Sequence, residues 1–238
     1  MTDAPFTIVN LYPDEMSFYG DSGNVLALQR RLEWRGLGAK VHYHHIGDSL
    51  PEHVDIIVGG GGQDNGQRKI YADLLRIGPA LHKFADANVP MLMVCGLYQL
   101  FGQRFVMSEG QTLPGIGIFD IETIAGGKRI IGNIMTKTEF GELVGFENHS
   151  GRTILSPSQP AFGKVITGYG NGETDHSEGA VSKHVYGTYL HGAVLPKNPV
   201  FADALIEQAF LNRHQSLEML TPLDDSLAAR VHADAKKR

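Results

Sequence analysis

The chain has one cysteine, and its setting invites a chemical reading. Cys95 closes the apolar run MLMV (91–94) and is followed by Gly96 and LYQLFG. A strand, a small-residue turn and then a helix push one side chain out at the carboxyl end of a sheet. The N–H groups at the helix start favour a thiolate over a thiol. A nucleophilic thiolate also needs a base and donors for a developing oxyanion. Gly59, Gly60, Gly61 and Gly62, after VDIIV, offer N–H groups that no side chain obstructs. If the strands ending at Val58 and Val94 are neighbours, Gly60 or Gly61 can act with Gly96 as the oxyanion hole. No Gly-Lys-Ser/Thr follows the glycines, which argues against a Walker phosphate loop. Of eleven histidines, His191 (YLHGAVLP) stands at the end of an apolar strand in a glycine turn and is the candidate base. His42, His44 and His45 read as strand residues, His82, His214 and His232 as solvated ones. His149 falls in FENHSGRT, which reads as a polar loop.

The elements that must position these residues alternate. Strands are read at 6–11, 39–46, 54–58 and 89–94, and helices at 22–36, 69–88 (interrupted near Gly78-Pro79) and 96–105. The strands are apolar enough to be covered on both faces, so the first 105 residues predict a parallel sheet between helix layers. Residues 115–190 turn to glycine-rich, short alternating runs, read as antiparallel strands added to the sheet edge. Helix returns at 199–213, and the last dozen residues read as frayed. No linker or repeat divides the 238 residues, which predict a single domain over 1–238.

Composition narrows the classes. Apolar residues are 42% and charged residues 20%, so a packed core is expected. The net charge of −5 gives no footprint for nucleic acid. No HExxH or HxxEH spacing proposes a metal site. The single cysteine fits a reducing cytosol. No leader is read in Met-Thr-Asp-Ala-Pro, and no apolar run approaches the roughly 20 residues of a membrane helix.

Together, SFYGDSGNVLALQRR (17–31), VGGGGQD (58–64), CGLYQLFG (95–102), GFENHSGRT (145–153), GYGN (168–171) and YGTYLHGAVLPKNP (186–199) resemble the class I glutamine amidotransferases of the cobyric acid synthase-like branch. Within that branch they are similar to the glutaminase subunits of lipid II isoglutaminyl synthases. The resemblance implies an α/β, three-layer, flavodoxin-like fold with a central, mostly parallel sheet and antiparallel additions. It implies Cys95 as nucleophile, His191 as base, the 60–62 glycines as oxyanion loop and Arg129 as the binder of glutamine's α-carboxylate. A guanidinium suits a carboxylate through paired bonds; read alone, Arg129 is a solvent-facing hairpin arginine. The partner implied is a Mur-ligase-like synthase subunit (the MurT type) in a heterodimer. ATP and Mg belong to that partner and no cofactor to this chain. The chain is then cytoplasmic and meets lipid II only through the partner.

Two departures stand out. Leu97 occupies the place of a second elbow glycine. Ala193 stands two residues after the histidine, where many relatives carry a glutamate, which leaves Asp21, Glu147 and Asn148 as alternatives to orient His191. Two other readings stay open: a glutaminase for another, corrinoid-type synthase, and a non-catalytic flavodoxin-like module with a structural or redox-sensing cysteine.

Overall fold

Short runs of β-branched and aliphatic residues set the frame. In the computed structural model, which describes residues 4–17, 19–215 and 220–237, six of them form one sheet. They are β1 (Phe6–Leu11), β2 (Ala39–His44), β3 (Ile56–Gly59), β4 (Met91–Val94), β11 (Ala180–Ser182) and β12 (Val185–Thr188). Their order is β11-β12-β4-β3-β1-β2. All pairings are parallel except β11 with β12. The strands ending at Val58 and Val94 are indeed neighbours, with Val58 beside Leu92. The residues of β3, β4 and β12 are all buried, as helix cover on both faces requires. Each fully buried aliphatic side chain there contributes about 1.5–3 kcal/mol.

α1 (Ser22–Glu33) turns Val25, Leu28 and Leu32 into the core. α2 runs unbroken over Asp64–Asp86, longer than the interrupted 69–88 expected. Pro79 forfeits one bond, to the carbonyl of Leu75, and Leu75 lies on the exposed side where water can serve that carbonyl. α3 (Gly96–Leu100) is shorter than the expected helix to Phe105. Phe105 instead lies in β5 (Arg104–Val106), paired with β6 (Thr112–Pro114) and β7 (Ile121–Thr138).

The second half differs more. Only β12, parallel to β4, and β11, antiparallel to β12, extend the edge of the first sheet; the other strands do not. They form a second sheet in the order β10-β9-β7-β5-β6, with β8 (Gly141–Leu155) pairing β7; β9 is Gly163–Thr167 and β10 is Ser177–Glu178. The polar stretch 145–152 is therefore strand, not loop. Its alternation went unnoticed because polar residues fill both faces. The C-terminal residues are not frayed. After α4 (Val194–Lys197) and α5 (Pro199–His214) comes α6 (Ser226–Ala235), and Arg31 donates to both Asp203 and Asp225 at 2.6–2.8 Å, tying both segments to α1. Met1 to Asp3, where no leader was read, Phe18 of the 17–31 motif and Arg238 lie outside the described residues. No helix among the described residues is long and apolar enough to cross a membrane.

Candidate active site

Ligand sites in open parallel sheets form beyond the carboxyl ends of the strands. Four such ends converge here. The loop after β1 carries Asp21, the loop after β3 carries Gly61, the residue after β4 is Cys95, and the segment after β12 carries His191. Gly61 marks the meeting point. A Cβ added there would overlap Cε1 of His191 and stand 3.1 Å from Cβ of Cys95 and 3.3 Å from Oδ2 of Asp21. Only hydrogen fits between these three side chains.

Cys95 holds φ 48°, ψ −101°, a strained conformation for a residue with a side chain. Its N–H donates to the Thr188 carbonyl at 2.8 Å, which pins the elbow to β12. Gly96 is the small residue the turn needs, because a Cβ there would press on Met16 and on the amide of Gly62. Gln67, buried on α2, donates to the Gly96 carbonyl at 3.1 Å and to Gln99 at 2.9 Å, fixing the start of α3.

His191 is 1% exposed and sits between two segments. Its backbone exchanges hydrogen bonds with Phe146 of β8, at 2.8 and 3.2 Å. Its Nδ1 lies 3.4 Å from Oδ2 of Asp21, an ion-pair contact between two groups each about 1% exposed. Neither ring nitrogen makes a well-aligned hydrogen bond, and Oδ1 of Asp21 is likewise unpartnered among the described residues. Buried polar atoms left open in this way call for a reason, and proton transfer supplies one. Burial opposes charge on His191, but the Cys95 thiolate and the Asp21 carboxylate outweigh it and push the pKa up to about 10. The arrangement favours the imidazolium form of His191 beside the Cys95 sulfur. The ring of Tyr19 lies over His191 at 4.6 Å between centroids.

Of the three residues left open as orienters, the structure brings Asp21 to His191. Glu147 instead accepts the N–H groups of Tyr169 and Gly170, and Asn148 accepts from Arg129. Asp21 occupies the N-cap position of α1 without a side-chain cap bond, its carboxylate being turned to Gly61 and His191. Ala193 packs where a Cβ on Gly23 would touch it. The acid that reaches His191 is Asp21, from the loop after β1.

The oxyanion donors differ from expectation. The N–H of Gly61 is committed to Asp21 at 2.7 Å. Gly60 lies under the 16–21 loop, where a Cβ would overlap the Met16 carbonyl. Gly96 and Gly62 are placed better. Gly96 directly follows the nucleophile at the start of α3, and Gly62 lines the same cavity as Cys95.

That cavity, about 720 Å³, also reaches Arg129, Gln99 and His149. Arg129 is exposed on β7, beside the bulge between Ala125 and Ile130. It donates to Oδ1 of Asn148 at 2.6 Å and to the Tyr19 hydroxyl at 2.8 Å, which aims the guanidinium along the cavity wall. The sequence reading singled out neither Tyr19 nor Gln67 and placed His149 in a loop; it named Gly62 only as part of the 60–62 run.

A strand-end cysteine and histidine above a parallel sheet of this order belong to the flavodoxin-like fold of the class I glutamine amidotransferases. Residues 7–199 match the CobB/CobQ-like glutamine amidotransferase domain, and the chain belongs to that family: it is a glutamine amidotransferase. It is 36% identical over 205 residues to the GatD subunit of the glutamine-hydrolysing lipid II isoglutaminyl synthase of Staphylococcus aureus, covering 85% of this chain and 84% of that protein. To the GatD subunit of Streptococcus pneumoniae it is 34% identical over 238 residues, covering 97% and 92%. The PurLQS structure from Thermotoga maritima shares the fold, with a TM-score of 0.58 at 14% identity, over 90% of this chain and 99% of that one.

Proposed function

We propose that this chain is the glutaminase subunit of a lipid II isoglutaminyl synthase. The convergence of Cys95, His191 and Asp21 around Gly61 carries the chemistry. The likeness to two GatD subunits over most of the chain supports the setting. The Cys95 thiolate attacks the side-chain amide carbon of L-glutamine. N–H groups of Gly96 and Gly62 stabilise the oxyanion, each worth about 3 kcal/mol. His191, protonated and held by Asp21, gives its proton to the leaving nitrogen, and ammonia departs. A γ-glutamyl thioester remains on Cys95. His191 then takes a proton from water, whose oxygen attacks the thioester, and glutamate leaves. Arg129 holds the α-carboxylate at the cavity rim. Ammonia passes to a Mur-ligase-like subunit of the MurT type. That subunit activates the α-carboxylate of the D-glutamate in the stem peptide with ATP and Mg, and it binds the lipid II. This chain acts in the cytoplasm and reaches the membrane face through that partner.

The test is glutamate release from glutamine by the wild type, Cys95→Ala and His191→Ala, each with and without a Mur-ligase-like subunit. Release falls by about 10³-fold or more in both variants, and amidated lipid II forms only with the partner. Equal release by wild type and Cys95→Ala overturns the nucleophile. Glutaminase activity without amidated lipid II in the complete mixture overturns the acceptor.

A further inference from the structure

Sheet bonding of β12 stops at Thr188, yet His191 lies further along, and the chain between them must still be held. Tyr189 and Leu190 are fully buried and belong to no strand. Buried backbone N–H groups need acceptors. That of Tyr189 donates to Oε1 of Glu178 at 2.7 Å. That of Leu190 donates to Oγ1 of Thr188 at 3.0 Å, and this hydroxyl donates in turn to the same Oε1 at 3.0 Å. One carboxyl oxygen thus serves both N–H groups, the first directly and the second through the hydroxyl. The N–H of His191 goes to the Phe146 carbonyl, so every amide from 189 to 191 is anchored.

Glu178 comes from the other sheet. It ends β10, which pairs with β9. Its reach across to β12 is built into the neighbouring residues. Gly179 has φ 60° and lies so close to β12 that a Cβ there would overlap the Gly187 carbonyl. Asn171, fully buried, donates to the Gly179 carbonyl and to the Ser177 hydroxyl, each at 2.9 Å. The 177–179 segment is clamped against β12. The mechanism above gives the carboxyl no task. It is fully buried, it does not line the cavity that reaches Cys95, and its Oε2 has no partner among the described residues. A buried carboxyl with an idle oxygen is a costly way to hold a chain, and the chain it holds leads to the base.

We propose that Glu178 is a positioning residue for His191: by accepting from the Tyr189 N–H and from the Thr188 hydroxyl, its Oε1 fixes the path from β12 to His191 and so holds the imidazole against Cys95. Asp21 acts on the ring of His191, whereas Glu178 acts on the backbone that carries it. The Thr188 carbonyl also accepts the Cys95 N–H at 2.8 Å, so the same short stretch sets nucleophile and base in register. The inference rests on Cys95 and His191 working as a pair.

The experiment measures kcat and KM for glutamine hydrolysis at pH 7 by this chain in complex with its synthase subunit, each variant being assayed below its melting range. Glu178→Leu keeps most of the bulk and removes the acceptor, and Glu178→Gln keeps an acceptor at Oε1. Glu178→Leu loses about 10- to 100-fold in kcat, as a displacement of the base by about 1 Å requires. Its KM stays within about threefold, because Arg129 stands on β7 and does not move. Glu178→Gln stays within about threefold of wild type in both constants. Leu205→Ala, a core truncation in α5, lowers Tm and keeps kcat, which separates a lost anchor from lost stability. A kcat within threefold of wild type in Glu178→Leu, an equal loss in Glu178→Gln or in Leu205→Ala, or a loss that falls on KM overturns the inference alone. Wild-type turnover in His191→Ala overturns the base and this inference with it. If Glu178→Leu does not fold, Thr188→Val, which removes the hydroxyl shared by Leu190 and Glu178, is compared with Thr188→Ser, which keeps it, and the same criterion decides.

Discussion

Replacing Gly61 by alanine adds one methyl group where Asp21, Cys95 and His191 meet. The new Cβ overlaps Cε1 of His191 and stands 3.1 Å from Cys95 and 3.3 Å from Asp21. Carbon atoms settle at about 3.5–4.0 Å, so the imidazole retreats by about 1 Å. Cys95 is pinned by Thr188, so the ring takes most of the displacement. Gly61 is not in the left-handed region, so backbone strain adds nothing. A displacement of that size costs about 100-fold in rate, and overpacking costs about 1–3 kcal/mol of stability. The substitution leaves Arg129 untouched. The expected result is kcat for glutamine down about 100-fold, KM within about threefold, and Tm lower by about 2–10 °C. Steady-state glutamate release and a thermal melt on one preparation read all three. A kcat within threefold of wild type would show that the side chains do not meet at Gly61, and the argument for the site would fall with it.

Other outcomes follow from the same contacts. The protonated form of His191 persists up to about pH 10, and Asp21 is one of the two charges that raise its pKa. Asp21→Asn therefore moves the alkaline limb of the kcat/KM profile to lower pH and cuts kcat by about 10²–10⁴-fold; an unmoved limb refutes the orienting role. Because the folded pKa lies above the unfolded one, this histidine stabilises the fold fully below about pH 6.5, and the contribution is lost as pH rises through about 10. Arg129→Lys loses the planar fork and raises the glutamine KM by about 10- to 100-fold with kcat within threefold; a lowered kcat at unchanged KM argues against carboxylate binding. Glu178 is buried, accepts from Thr188 and from the Tyr189 N–H, and burial pushes its pKa up to about 8. A raised carboxylate costs stability as pH climbs from about 4.5 to about 8 and in full above that. Glu178→Gln should thus gain a few kcal/mol at pH 8.5 over wild type and nothing at pH 4; denaturant midpoints at the two pH values check the sign.

The parallel half of the fold was legible because β3 and β4 are continuous apolar runs and β1 nearly so, and only a strand buried on both faces tolerates that. The adjacency of the 54–58 and 90–94 strands, argued only as a condition, is what brings the glycine run beside Cys95. The second sheet was not legible as a sheet. In β8 the residues Glu147 and His149 are polar and buried, so the usual alternation of burial and polarity fails where chemistry needs polar groups inside. Asp21 was legible only as one of three acceptors for His191, since spacing does not say which of Asp21, Glu147 and Asn148 reaches the ring. The choice of Gly62 over Gly61 as an oxyanion donor was beyond spacing. It depends on which N–H the Asp21 carboxylate takes, a contact across forty residues of chain.

The strained backbone at the site has a consequence for anyone selecting variants by heat resistance. Cys95 and Ala193 hold φ of 48°, and Tyr12, at the exit of β1, holds 52°. Each such residue without a glycine's freedom stores about 1–3 kcal/mol. A screen that scores survival alone would accept Cys95→Gly, which relaxes the elbow and leaves a folded but inert protein. Thermal tolerance and turnover are opposed at that position, so a library meant to harden this chain should hold it fixed and search the outer helices instead.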